Sequence, residues 1–338
     1  MSEEATKSPQ RESDAEFRGR AEGPRRDHAP DGHPAESGWW ATIKRTVSEF
    51  QEDGMTDWAA SLTYYALLSL FPALIAMVSL IGIFGDPKST TESLTEIITG
   101  IGPESAAETF EGPIKSITES SGTAGLAFVL GIAAALWSAS GYTGAFMRAS
   151  NVIYETPEGR PFWKLRPLQV AVTFVIIVLV ALLAVSLVLT GPVVTAVAEP
   201  LGIGSTAVDI WNIAKWPAMA AVFLLILAIL YYASPNVKLR GFKWVTPGSL
   251  AAIFIWIVAS ALFALYVANF GSYDKTYGTL GGMIALLVWF WISNLAILFG
   301  HELNAERERS LEIEEGRPRA THEIQLEPRD QPKEEKTT

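Results

Sequence analysis

The chain has 338 residues, 49% of them hydrophobic, a formal net charge of -10 and no cysteine. Without cysteine there is no disulfide, no thiolate nucleophile and no Cys-ligated zinc, and the acidic balance argues against a nucleic-acid partner. The mean hydropathy of +0.24 understates the middle of the chain, because both ends are strongly polar and dilute it.

Residues 1–36 mix Glu, Arg, Ser, Pro and Gly without an apolar stretch. They read as a disordered tail and not as a cleavable signal or a foldable unit. Trp39, Trp40, Ile43, Val47 and Phe50 then recur at helical spacing, with Lys44, Arg45 and Glu49 between them and Gly54 beyond. This predicts a short helix in the membrane interface, with a lead-in to the first span as the alternative.

Six apolar runs follow, at about 58–84, 124–147, 168–190, 217–233, 249–270 and 280–300. Each can cross a hydrocarbon core of about 30 Å at about 1.5 Å per helical residue. The fold class is therefore all-α: a polytopic membrane bundle of six transmembrane helices, occupying 37–306, since lipid offers backbone groups no partner outside their own helix. Trp58, Trp163, Trp216, Trp244, Tyr273 and Tyr277 flank the runs, where amphipathic rings settle. The tail 307–338 reads as disordered, like the first.

Orientation follows from the basic residues. Lys44, Arg45, Arg148, Arg160, Lys164, Arg166, Lys238, Arg240, Lys243, Arg307 and Arg309 fall on one side, and Lys88, Lys115, Lys215 and Lys275 on the other. By the positive-inside rule both termini are cytoplasmic, in a bacterial inner membrane, as an even number of spans also requires. The loop 85–123, on the outer side, is acidic. Leu94, Ile97, Ile98 and Ile101, and then Phe110, Ile114 and Ile117, give it two apolar stripes, which predict short helices capping the outer mouth or lying on headgroups.

Polar residues inside the runs are costly in lipid and mark candidate function. Ser61, Tyr65, Ser69 and Pro72 share a stripe of the first run, with Tyr64 beside it, and Pro72 predicts a kink. Ser138, Arg148 and Asn151 mark the second run, Tyr231 and Tyr232 the fourth, and Ser293, Asn294, His301, Glu302 and Asn304 the sixth. All but Pro72 gather toward the cytoplasmic side, with only Tyr266 and Asn269 at the outer end of the fifth run breaking the trend, which predicts a polar vestibule open there. The alternative is ordinary helix glue, since Ser and Thr back-bond within helices and Tyr belongs to interface belts. Arg148 is the sharpest candidate, with Glu302 or Asp57 as a partner or an anionic headgroup as a ligand, and snorkelling to the interface as the alternative. Gly141, Gly144, Gly278 and Gly282 mark close packing or a hinge. Of the four histidines, His28, His33 and His322 lie in tails and His301 stands alone, so no metal centre and no cofactor is implied.

The segments Ala60 to Pro72, Gly141 to Tyr154, Arg160 to Trp163, Tyr277 to Gly282 and Gly300 to Asn304 together resemble the YihY/BrkB family of bacterial inner-membrane proteins, over about 39–306. The resemblance implies a six-span protein, with Tyr64, Tyr65, Pro72, Arg148, Asn151, Tyr277, Gly278 and Glu302 at the family's motif positions. Members have carried the label ribonuclease BN, which this chain does not support, as it lacks a His and Asp cluster for catalytic metals. Two functions stay open: a non-enzymatic transporter of a lipid-like or anionic substrate, or a scaffold for envelope assembly that docks envelope proteins on its acidic outer loop. Membrane lipids are the expected partners in either case, and a homo-oligomer remains open.

Overall fold

The computed structural model describes residues 37–84, 124–188, 194, 204–269 and 279–331. Among them the fold is all-helical: α1 (Trp39–Glu52), α2 (Met55–Phe84), α3 (Ala124–Ile153), α4 (Phe162–Val188), α5 (Ser205–Ala233), α6 (Pro247–Asn269) and α7 (Thr279–Glu314). One isolated β-bridge joins Val237 to Pro328. The N-terminal tail, the expected outer-loop helices at 85–123, Gly278 and the side chain of Pro72 lie outside the described residues. The backbone of α2 itself runs as one helix through Pro72.

Each helix packs on its neighbour in chain order from α2 to α7, and α7 returns to α2, which closes a ring; α1 lies against α7. The helices α4, α5, α6 and α7 are long and apolar enough, by length and composition, to cross a membrane. The first two apolar runs fall within α2 and α3, of 30 residues each. Pro217, expected to open the fourth span, sits inside α5, whose first turn begins at Ser205. A proline removes one donor from a helix, and hydrogen bonds on either side carry it through.

Local chemistry explains the helix ends. Gly54 turns the chain from α1 into α2 at φ 63°, a conformation open to glycine without a Cβ penalty. Helix α6 opens with Thr246 as N-cap and Pro247 in its first turn. Thr246 Oγ1 accepts from Ser249 N at 3.0 Å and Ser249 Oγ accepts from Thr246 N at 2.9 Å, a reciprocal cap. Helices α6 and α7 cross where a Cβ on Gly248 would stand 1.9 Å from the Gly300 carbonyl oxygen, so only glycine fits. Gly141 meets the ring of Tyr65 and Gly144 the amide of Gln169, as close packing requires. A Cβ on Gly282 would meet open space among the described residues, so the expected glycine contact there is absent.

The largest departure from the sequence reading is the tail after 306. Helix α7 runs on to Glu314; its 36 residues come to roughly 54 Å, well beyond a bilayer core. Residues 315–331 then fold back as a strap. Lys238 N donates to Glu327 O at 2.8 Å, Arg329 N to Asn236 O at 2.9 Å, and the Asn236 amide to Asp330 O at 2.8 Å. The charges of 306–317 suggested a solvated tail, but Glu306, Glu308, Arg309 and Glu315 reach partners on other segments of the chain, namely Arg45, Arg240 and Glu155.

Candidate functional site

The end of the bundle where α1 meets the last turns of α7, here termed the polar end, concentrates the buried charge. Thr42, Arg45, Thr46 and Glu49 form the inward face of α1, while Trp39, Trp40, Ile43 and Val47 point outward and are exposed. Arg45 Nε donates to Glu306 Oε2 at 2.8 Å, and Arg309 Nε to Glu306 Oε1 at 2.8 Å. Arg309 also reaches Glu155 Oε1 at 2.7 Å. Arg45, Glu306 and Arg309 are all essentially buried, so each charge depends on the others for its solvation. Burial pushes the Glu49 carboxyl above the usual carboxylate range, against the pull of Arg309.

Glu155 ends α3 in the left-handed region at φ 50°, where glycine is usual. Its carboxylate accounts for the choice, since Oε1 accepts from Arg309 and Oε2 from Ile324 N at 3.1 Å. In the loop beyond, Arg160 grips Glu158 through Nε and Nη2 at 2.8 and 2.7 Å and donates to the Ser234 carbonyl at 2.8 Å. Burial would raise the Glu158 carboxyl, but the hydrogen bonds from Arg160 and Asn151 hold it below its usual range.

Next to this network lies a cavity of about 240 Å³. Its walls come from α3 (Tyr154), the end of α5 (Tyr231, Tyr232), the 239–246 segment (Arg240, Lys243) and α7 (Asn304, Arg307). Arg240 pairs with Glu308 at 2.9 Å and with Glu315. Beside the cavity His301 is fully buried. Its ring stacks 4.6 Å from Tyr231 and 5.5 Å from Phe146, and its Nε2 pairs with Ser150 Oγ at 3.0 Å. A second cavity, an apolar groove of about 790 Å³ between α3 and α4, is lined by Trp137, Phe162 and Trp163, with Arg166 stacked 4.0 Å over Trp137.

Of the polar residues expected to form a vestibule, Tyr231, Tyr232 and Asn304 line the polar-end cavity, whereas Ser61, Tyr64, Tyr65, Ser69, Ser138, Arg148, Asn151, Asn294 and Glu302 are not among its lining residues. Asn294 is buried between three helices, accepting from Tyr142 Oη at 2.8 Å and donating to Thr63 Oγ1 at 3.2 Å. Asn151 is buried too, donating to Glu158 at 2.9 Å and accepting from Asn236 N at 2.8 Å. Ser69 back-bonds to Ala66 O within its own helix. Ser61 and Tyr65 are half-buried, and Tyr64 and Ser138 are exposed.

Arg148 corrects the sharpest expectation. It is exposed between buried Met147 and Ala149, and no ion pair to Glu302 or Asp57 forms among the described residues. Helix α3 turns it outward, where a long cation keeps its head in water without a partner. Glu302 is buried, with Oε2 lacking a hydrogen-bond partner among the described residues.

Residues 46–324 match the family described as Virulence factor BrkB. The chain belongs to the BrkB family. It is 36% identical over 248 residues to a ribonuclease-like protein, YfkH, of Bacillus subtilis (strain 168), which covers 73% of this chain and 88% of that one. It is 26% identical over 266 residues to a UPF0761 membrane protein of Alteromonas mediterranea, covering 79% and 87%, and 25% over 279 residues to another from Aeromonas salmonicida (strain A449), covering 81% and 88%. No solved structure matches. This BrkB chain is thus an integral membrane protein whose family match takes in Glu49, Glu155, Glu306 and Arg309 of the polar-end network, begins just after Arg45 and stops within the strap. Among its described residues no group of three or more His, Cys, Asp or Glu is placed to hold a metal ion.

Sequence reasoning missed Arg45, Arg160, Asn236, Glu306 and Arg309. A signal for part of this was present: Asn294, Leu298, His301, Glu302, Ala305, Arg309 and Glu312 keep the helical period straight past the end of the last apolar run, and all are buried.

Proposed function

We propose that this protein is a six-span inner-membrane protein, with spans at about 58–84, 124–147, 168–190, 217–233, 249–270 and 280–300 and both termini in the cytoplasm. It accepts an anionic amphiphile at a polar cavity open to the cytoplasm and moves it across or out of the inner leaflet. The observation that carries this reading is the polar-end cavity of about 240 Å³, where Arg240, Lys243 and Arg307 converge. The basic residues near the other spans fall at the same end, which supports a cytoplasmic assignment. The outward aromatic and aliphatic face of α1 supports a helix lying in the interface. The apolar groove beside Arg166 suits an acyl chain entering from the side. The reading involves no covalent step, and the ribonuclease-like name of the Bacillus relative is not carried over to this chain.

Reconstitution tests it. Proteoliposomes containing the protein should exchange a fluorescent anionic lipid between leaflets faster than empty liposomes, and equal rates would remove translocation. The bonds of Asn294 to Tyr142 and Thr63 favour a second reading, a scaffold in which interior polar groups only join helices. That reading expects no flux at all.

A further inference from the structure

The polar-end cavity gathers three cations, two of them paired with carboxylates of the chain and the third without an ion pair among the described residues. Arg240, Lys243 and Arg307 converge on it from two segments, and Glu308 is the single carboxylate among the residues that line it. Arg240 is held by Glu308 at 2.9 Å and by Glu315, and Arg307 lies 3.6 Å from Glu314 and over the Trp39 ring. Lys243 is exposed and makes no ion pair among the described residues.

Asn304 is the second observation. Its Oδ1 accepts from Gly248 N at 2.9 Å, which fixes the orientation of the carboxamide, because a backbone N–H can only donate. The Nδ2 group is therefore turned the other way, and there it is buried without an acceptor among the described residues. Thr246 and Pro247, at the first turn of α6, also line the cavity, so the positive end of a 23-residue helix lies at the same wall.

We infer that this cavity binds a phosphate-bearing anion, with Asn304 Nδ2 donating to one oxygen and Lys243 and Arg307 balancing the remaining charge. Cations and a donor that approach from different walls match the several oxygens of a tetrahedral phosphate better than the two of a planar carboxylate. The volume exceeds the roughly 150 Å³ that accommodates a benzene ring, which leaves room for phosphate with a glycerol-sized substituent. The site deepens the translocation reading and takes its purpose from it, but its occupancy is measured without flux. The phosphate reaches it either on a phospholipid or as a soluble ester.

The test uses the full chain in zwitterionic micelles, titrated with sn-glycerol 3-phosphate, and in nanodiscs of phosphatidylcholine with a minor share of phosphatidylglycerol, scored for lipid retained on purification. Lys243→Glu, at an exposed position, and Asn304→Asp, which keeps the acceptor for Gly248 N and removes the donor, should each weaken binding tenfold or more. Lys238→Gln, exposed and outside the cavity, should bind as the parent does. Retention of phosphatidylglycerol alone identifies a lipid headgroup, glycerol phosphate binding alone a soluble ester, and either upholds the site. Binding by neither probe overturns it, as does unchanged binding in Lys243→Glu with an unchanged unfolding temperature. Binding without lipid exchange keeps the site and removes translocation; exchange without binding does the reverse.

Discussion

Leu262 on α6 and Leu298 on α7 belong to neighbouring helices of one bundle and meet opposite surroundings: the first is 62% exposed, the second fully buried. The same division separates the two ends of the molecule. Along α6, Phe254, Ile257, Leu262 and Leu265 all face outward, whereas at the polar end Arg45, Glu306, Arg309 and Glu312 are buried. In lipid an outward leucine loses nothing, because acyl chains are as apolar as a protein core, so helices there are held by packing and a few polar contacts. At the polar end water is the competing solvent, and Arg45, Glu306 and Arg309 stay inside because they solvate one another. The spans therefore tolerate change on their outer faces, and the polar end does not.

The sharpest way to break this comparison is to substitute one residue from each region. Glu306→Ala leaves Arg45 and Arg309 buried with a shared counter-charge removed, and should cost about 3–5 kcal/mol. Leu262→Ala, on a lipid-facing surface, should stay within about 0.5 kcal/mol. Denaturant unfolding in mixed micelles reads both, and near-equal losses would mean that the polar end is not the structural centre of the chain.

How far the sequence reaches follows the same division. The apolar runs were legible because hydrocarbon imposes length and composition on any span, and the expected boundaries agree with the described helix ends within a few residues where no proline or charge intervenes. At α5 the sequence reading starts the span at Pro217, and at α7 it starts a tail at residue 307, where the helix runs on. Which polar residues pair could not be read: Arg148 and Arg45 look alike in sequence, both cations next to apolar stretches, yet one is exposed and the other buried against Glu306. The concentration of polarity at one end was legible, and the cavity lies there. Its lining was legible in part: Tyr231, Tyr232 and Asn304 stand among the polar residues of the runs, whereas Arg240, Lys243 and Arg307 carry only an orientation signal in the sequence.

Glu155→Ala sharpens the comparison at the edge of the network. It removes the bonds to Arg309 and Ile324 N and leaves a left-handed residue without its compensation, for an expected loss of about 1.5–3 kcal/mol. Glu155→Gly should recover part of this, because glycine takes that φ freely. Asn294→Ala probes the opposite region. It strands Tyr142 Oη and leaves Thr63 Oγ1 only its bond to Ala59 O, where such interhelical bonds contribute about 0.6–2 kcal/mol. A loss larger than that of Glu155→Ala would move the centre of stability into the spans.

Acid should act on the polar end first. Hydrogen bonds from Arg160 and Asn151 hold the Glu158 carboxyl below its ordinary value of 4.5. A depressed carboxyl contributes stability that is fully present above its unfolded value and is lost as pH falls through its lower folded value. The unfolding temperature should therefore drop between about pH 4.5 and the acid limit, and Glu158→Gln should be less stable above that window and flatter through it. Parallel pH profiles for parent and variant would exclude Glu158 as a contributor.

The smallest effect is expected at the rim, from the exposed ion pairs along the strap. Lys164 meets Asp330 at 2.5 Å and Lys238 meets Glu327 at 2.9 Å, but three of the four side chains are more than half exposed. Such pairs contribute about 0–1 kcal/mol and are screened within about 10 Å at 0.1 M salt. The buried Asn236 amide, by contrast, donates to Pro157 O and Asp330 O, and Arg329 donates to the Val237 and Tyr232 carbonyls at 2.8 and 2.6 Å. Limited proteolysis of residues 315–331 separates the two holds. Glu327→Ala and added salt should each leave the cleavage rate within about twofold, while Asn236→Ala should raise it several-fold, because a lost buried amide strands carbonyls on both the loop and the strap. Cleavage that tracks salt and ignores Asn236 would place the hold in the rim charges, and the rule that separates buried from exposed contacts at this end would fail where it is easiest to measure.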